Sequence, residues 1–239
     1  MLKKHLALSF FLVAAVVLSV GTIPARAQTV SHSVNFTDNF SSGSLDRWQF
    51  PYPQDWAIQK EGSTSYLHML RMRDAVEPRH PIQFALLKGV NVGNFTFQAR
   101  VRRQPNQKSV ILVFGYVDPT HFYYTHLSVD PGVNHPVHNG VFLVNGVPRR
   151  RIAGSESAAA LPDLKWHTVR VERNVHSGSI KIFVDNSPKP LFSLVDRTLL
   201  CGRVGFGSFD EKGDFTDIKL TSKDAGCRPH AGTQIAGNQ

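Results

Sequence analysis

Cysteine is scarce in this chain: Cys201 and Cys227 are the two among 239 residues. Acidic side chains are also in deficit, with 18 Asp and Glu against 27 Lys and Arg and a formal charge of +9. No segment sustains a long amphipathic helix, and no internal repeat is visible. After the first 27 residues no apolar run approaches the roughly 20 residues of a membrane span. These absences argue against a helical or repeat architecture and predict no transmembrane segment in the mature chain. The glycine-rich stretch "GRVGFG" reads Gly-x-x-Gly-x-Gly with no βαβ unit around it, so it is not a dinucleotide loop. No nucleic-acid-binding motif is present, which sets nucleic acid aside as a partner.

What is there begins with a leader. "MLKKHLALSFFLVAAVVLSVGTIPARA" carries Lys3 and Lys4, an apolar run from Leu6 to Val20, and the small-x-small pattern Ala25-Arg26-Ala27. This pattern predicts a secretory signal peptide over residues 1–27, with the mature protein secreted or periplasmic; a retained N-terminal anchor is the alternative. Removing Lys3, Lys4 and Arg26 from the 27 basic residues leaves 24 against 18 acidic, a formal charge of +6. A basic exported protein favours anionic partners such as acidic polysaccharides. Residues 28–227 are expected to form one domain, with a disordered polar tail over 228–239. Disulfides persist outside the cytoplasm. A Cys201–Cys227 bridge would close a loop of about 25 residues, worth about 3 kcal/mol on the chain-entropy model.

The dominant rhythm is period two. "FTFQARVRR" sends Phe95, Phe97, Ala99 and Val101 to one face and Thr96, Gln98, Arg100 and Arg102 to the other. "SVILVFGYV" is a buried run, and "WHTVRVERN", "SIKIFVDN", "GRVGFGSF" and "FTDIKL" read as further strands. Asp118-Pro119, Asn145-Gly146, Asp185-Asn186 and Lys212-Gly213 punctuate them as turns. "SESAAALPDL" allows one short helical turn. The pattern predicts an all-β fold, a two-sheet antiparallel jelly-roll sandwich.

"LKWHTVRVERNVHSGSIKIFVDN" followed by "GRVGFGSFDEKGDFTDIKL" resembles the concanavalin A-like lectin/glucanase superfamily, in particular laminin-G-like and three-keto-disaccharide-hydrolase-type exported domains. The matching positions are Trp166, His167, Val169, Val171, Phe183, Asp185, Gly202, Gly205, Phe215, Asp217 and Ile218, with Phe36, Phe40, Leu45 and Trp48 in the opening strand. The resemblance implies that first and last strands pair and that Trp166 fills space between the sheets. It also implies a glycan, taken on a concave sheet, as the partner. The superfamily mixes lectins, hydrolases, lyases and adhesion modules, so enzyme and lectin both stay open. Its retaining glucanases place two glutamates and an aspartate along one strand, and no such spacing occurs here. The nearest acidic group, Asp210, Glu211, Asp214 and Asp217, spans a turn, where a solvated turn or a structural calcium site are the two readings.

"HFYYTHLSVDPGVNHPVHN" holds His121, His126, His135 and His138 beside Tyr123 and Tyr124. Alternation puts Phe122, Tyr124 and His126 on one side and His121, Tyr123 and Thr125 on the other. Three readings compete: zinc ligands, surface residues of a hairpin, or a glycan site. Zinc suffers because His135-x-x-His138 shows no third ligand in the sequence, so no metal is assigned. For a lyase acting on a uronate, Tyr124, His126 and His138 are the candidate acid–base residues. Asn139, His121, Arg71, Arg73 and Arg100 are the candidate substrate-binding residues, the arginines because they can neutralise a carboxylate.

Overall fold

The computed structural model describes residues 32–229 apart from Ala75. The expected leader and nearly all of the expected tail lie outside the described residues.

Among the described residues fifteen strands form two antiparallel sheets. In chain order they are β1 (His32–Asp38), β2 (Trp48–Gln49), β3 (Trp56–Glu61), β4 (Thr64–Met69), β5 (Gln83–Leu87), β6 (Phe95–Arg103), β7 (Ser109–Asp118), β8 (His121–Ser128), β9 (Gly140–Asn145), β10 (Arg150–Ala153), β11 (His167–Asn174), β12 (Ser179–Val184), β13 (Phe192–Val195), β14 (Arg203–Ser208) and β15 (Gly213–Ala225). The eight-stranded sheet runs β13-β12-β11-β6-β15-β4-β3, with β1 also on β15. The seven-stranded sheet runs β10-β9-β8-β7-β14-β5-β2. First and last strands pair, with His32 opposite Ala225 and Asp38 opposite Ile218.

Alternation decides which side chains face inward. In β6, Phe95, Phe97, Ala99 and Val101 are buried while Thr96, Gln98, Arg100 and Arg102 face out. Between the sheets Trp48 meets Phe206 edge-on at 4.9 Å, and Phe206 stacks on Phe215 at 4.7 Å. Burying each such ring contributes about 1.5–3 kcal/mol. The Cys201–Cys227 disulfide is formed.

Two expectations change. Trp166 does not fill the space between the sheets. It precedes β11 on the outward parity, and its ring packs on the outside of the eight-stranded sheet between Tyr66 (5.7 Å) and the Arg102 guanidinium (4.5 Å). Smaller inward residues, Val169 and Val171, take the place expected of it. Residues 155–164 form bends and turns without a helix, since the N–H groups of Ala160 and Leu161 donate to Ser128 O rather than to carbonyls within the segment.

β7 departs from alternation. Every residue from Ser109 to Tyr116 is buried, so both faces of the seven-stranded sheet are covered. Its outer face carries a second apolar cluster that includes Phe84, Ile111, Phe122, Tyr124, Phe142 and Phe209. The connection between β4 and β5 supplies part of the cover. There the His80 ring stands edge-on to Phe122 at 6.0 Å, and the Arg79 guanidinium lies 4.9 Å over Phe209.

Candidate functional site

The outer face of the seven-stranded sheet carries two candidate sites at the margins of this apolar cluster. At one end is the histidine-rich loop between β8 and β9. At the other is an aromatic cleft beside the β7–β8 turn.

Phe122, Tyr124 and His126 share the outer face of β8, as their spacing requires. Cross-strand pairing sets Tyr124 between Val113 and Phe142, and His126 between Ile111 and Gly140. Tyr124 stacks on Phe142 with centroids 5.1 Å apart. Tyr124 and His126 are fully buried. Arg149 closes over them, its guanidinium 3.9 Å from the Phe209 centroid and donating to the Tyr124 hydroxyl at 2.7 Å. A weaker contact of 3.4 Å reaches His126 Nδ1. A guanidinium only donates, so Nδ1 accepts and the ring proton sits on Nε2, directed at Ser109 Oγ 2.7 Å away. Burial pushes the His126 pKa well below its ordinary value, and the charge of Arg149 adds to this. Burial likewise raises that of Tyr124, against the pull of Arg149. At neutral pH both side chains are uncharged and sit beneath Arg149.

His138 lies farther out. Its Nδ1 is 3.0 Å from Asp130 Oδ2, and its ring is 5.3 Å from those of both His126 and His135. Burial opposes ionisation of Asp130, but the hydrogen bond from His138 and the charges of Lys108 and His135 outweigh it and hold the carboxyl below its usual range. Asn139 faces inward rather than toward a ligand. Its Oδ1 accepts from Ser128 N–H at 3.1 Å, its amide donates to Ser157 Oγ and Ala158 O, and its backbone is left-handed at φ 49°. It fastens the loop to the body.

The other expected binding residues are dispersed. His121 closes the β7–β8 hairpin on Asp118 at 2.9 Å. Arg100 lies on the outer face of the opposite sheet, paired with Asp217 at 3.1 Å. Arg71 and Arg73 follow the end of β4 in irregular chain, not in a strand. Arg71 is exposed; Arg73 holds Asp55 with both a short and a 3.1 Å hydrogen bond. The turn carboxylates diverge too. Asp214 pairs with Arg102 at 2.8 Å, Asp210 approaches Arg79 at 3.9 Å, and Glu211 accepts the N–H groups of Lys108 and Ser109.

The aromatic cleft was not foreseen. A hollow of about 190 Å³ is lined by Tyr52, His80, Pro81, Phe84, Tyr116 and Pro119, among others. Arg73 lies 3.8 Å over the Tyr52 ring, and Arg203 lies 4.9 Å over that of Tyr116. Arg203 donates to the Gln49 carboxamide and has no carboxylate partner among the described residues. The sequence signal was "FPYPQDW", an aromatic-proline run just before β3.

No protein-family model matches the chain. No curated protein matches it either. Solved structures share its fold at low identity. The carbohydrate-binding module CBM66 from Bacillus subtilis is 14% identical, with a TM-score of 0.54 over 74% of this chain and 96% of that one. The GH43 protein BlXynB from Bacillus licheniformis is 12% identical with a TM-score of 0.53, over 78% of this chain but 39% of that one. A Bacillus subtilis protein of unknown function with a galectin-like fold is 12% identical, with a TM-score of 0.52 over 82% of this chain and 98% of that one. At these identities the likeness establishes the architecture.

Proposed function

We propose that this chain, a jelly roll of concanavalin A-like fold, binds carbohydrate on the outer face of its seven-stranded sheet. The observation that carries the reading is the cleft between Tyr52 and Tyr116. Sugar rings present C–H faces that pack on aromatic rings, while their hydroxyls need polar groups at the rim. The cleft supplies both: Tyr52, Phe84 and Tyr116 as walls, His80 within it, and Arg73 and Arg203 alongside. Its volume of about 190 Å³ suits a single sugar unit of a longer chain. Arg73 is already neutralised by Asp55, whereas Arg203 has only a neutral partner, so a uronate carboxylate is the favoured substituent.

The other margin favours binding without turnover. Tyr124 and His126 meet Arg149 and Ser109 rather than solvent, so a lyase that used them as acid and base would need Arg149 to swing away. Their role in this reading is to hold Arg149. Titration calorimetry with alginate, pectate, glucuronan and neutral glucans tests both points, run alongside an ultraviolet assay for unsaturated uronates. Binding to an acidic polysaccharide with no new absorbance is expected. An unsaturated product would restore Tyr124, His126 and His138 as catalytic candidates, and no binding to any polysaccharide would overturn the proposal.

A further inference from the structure

Asp130, His135 and His138 come from one loop, and their donor atoms lie within 4.8 Å of one another. Among the described residues no other group of three or more His, Cys, Asp or Glu side chains gathers this closely. The third ligand that His135-x-x-His138 seemed to lack is thus Asp130, five residues upstream of His135. We propose that these three side chains form a site for a divalent transition cation, zinc foremost, with a fourth position open to water. The site lies beyond the far end of β8 from the aromatic cleft, with Phe122 and the strand's end at Ser128 six residues or about 20 Å apart, and does not rest on the saccharide proposal.

The distances suit such an ion. Two ligands each about 2.0–2.1 Å from a tetrahedral zinc stand about 3.4 Å apart. Asp130 Oδ2 is 3.0 Å from His138 Nδ1, and Asp130 Oδ1 is 3.7 Å from His135 Nε2, so the pairs straddle that spacing. Two imidazoles and one carboxylate favour zinc, cobalt or nickel over calcium and magnesium, which want oxygen ligands alone. Relative side-chain exposures of 18% for Asp130, 24% for His138 and 43% for His135 leave a path for the ion from solvent.

The loop is held before any ion arrives. Arg151 Nη1 donates to the carbonyls of Gly132, His135 and His138, at 3.0, 3.2 and 3.3 Å, drawing the backbone of both histidines around one guanidinium. Gly132 packs so tightly that a Cβ there would fall 1.8 Å from Gly154 O. Asn139 ties the end of the loop to Ser128 and Ser157. Ligands on a fastened loop keep their mutual spacing. In the ion's absence Lys108 serves Asp130, with its Nζ 3.4 Å from Oδ2. A bound cation would have to displace that ammonium.

Cobalt(II) is the probe, added to the protein purified without a histidine tag, with zinc competing it away in calorimetry. The expected result is one equivalent of Co²⁺ showing the visible bands of a low-coordinate site, bleached by Zn²⁺ and unaffected by Ca²⁺. His135→Ala and Asp130→Asn should each weaken zinc binding by about tenfold or more while thermal melting of the metal-free protein shows that they still fold. Lys108→Ala should tighten binding several-fold, because the competing ammonium is gone. Absent cobalt bands would overturn the site. So would bands that survive in both His135→Ala and Asp130→Asn, or a Lys108→Ala affinity equal to that of the wild type.

Discussion

Tyr123 and Tyr124 are adjacent in the chain and belong to different cores. Tyr123 points between the sheets, where it stacks on Phe114 at 5.3 Å; Tyr124 points outward and stacks on Phe142. The Tyr123 hydroxyl donates to Asp196 and accepts the Leu199 N–H at 3.0 Å, while the Tyr124 hydroxyl accepts from Arg149. Tyr123→Phe should therefore cost about 1–3 kcal/mol, since it strands a buried N–H. Tyr124→Phe should cost about 1 kcal/mol or less, because water can reach the half-buried Arg149 in its place. Urea denaturation of the two variants checks the order.

Asp196 links the first of these to acid stability. Burial opposes its ionisation, but the hydrogen bonds from Tyr123 and Thr198 and the Arg173 charge outweigh it, so its folded pKa lies below the ordinary value. A carboxyl depressed by folding contributes stability that is present above the unfolded pKa, about 3.9, and lost as pH falls through the lower folded value. Asp196→Asn should flatten the fall in urea midpoint below about pH 4 relative to the wild type. An equally steep fall in the variant would mean that other carboxyls govern acid unfolding.

Cys201 and Cys227 lie 26 residues apart and bracket β14 and β15. Cys227→Ser should lower stability by about 3 kcal/mol. Reductant should do the same to the wild type and nothing further to the variant. Saccharide binding should survive, because neither cysteine lines the aromatic cleft.

Tyr52 is half-buried on the rim of that cleft, so it can be removed without opening a core. Tyr52→Ala should weaken polysaccharide binding by about 1 kcal/mol, the scale of an aromatic contact, with little change in melting temperature. Arg203→Ala should weaken binding to acidic chains more than to neutral ones, and added salt should narrow that difference.

The fold was largely legible in the sequence, and the site much less so. Period two in "FTFQARVRR" named the inward residues of β6 correctly, and the pairing of first and last strands followed from the family resemblance. The unbroken apolar run of β7 was a sign of cover on both faces, because a half-buried strand alternates. What supplies that cover was hidden: residues 70–82 have no periodicity, and their place over Phe122 and Phe209 comes from long-range packing. Trp166 misled because a large aromatic ring suggests a core, whereas beside Tyr66 and the Arg102 guanidinium it serves as well on a surface. Asp130 was missed as a partner of His135 and His138 because loop residues have no fixed geometry in sequence, although "DPGVNHPVH" holds all three within nine positions.

β15 lies inside the eight-stranded sheet, with β6 along one edge and β4 and β1 along the other. A chain made from its N-terminus therefore delivers the middle of this sheet last. Until Gly213–Ala225 emerges, the strands around it have no common neighbour, and Phe36, Leu67 and Phe97 lack the wall that Phe215, Ile218 and Leu220 provide. Such distant pairings are slow to form. Assembly of this sheet must wait until β15 has emerged, and a chain stopped short of Gly213 would leave a sheet split through its interior rather than a shortened one.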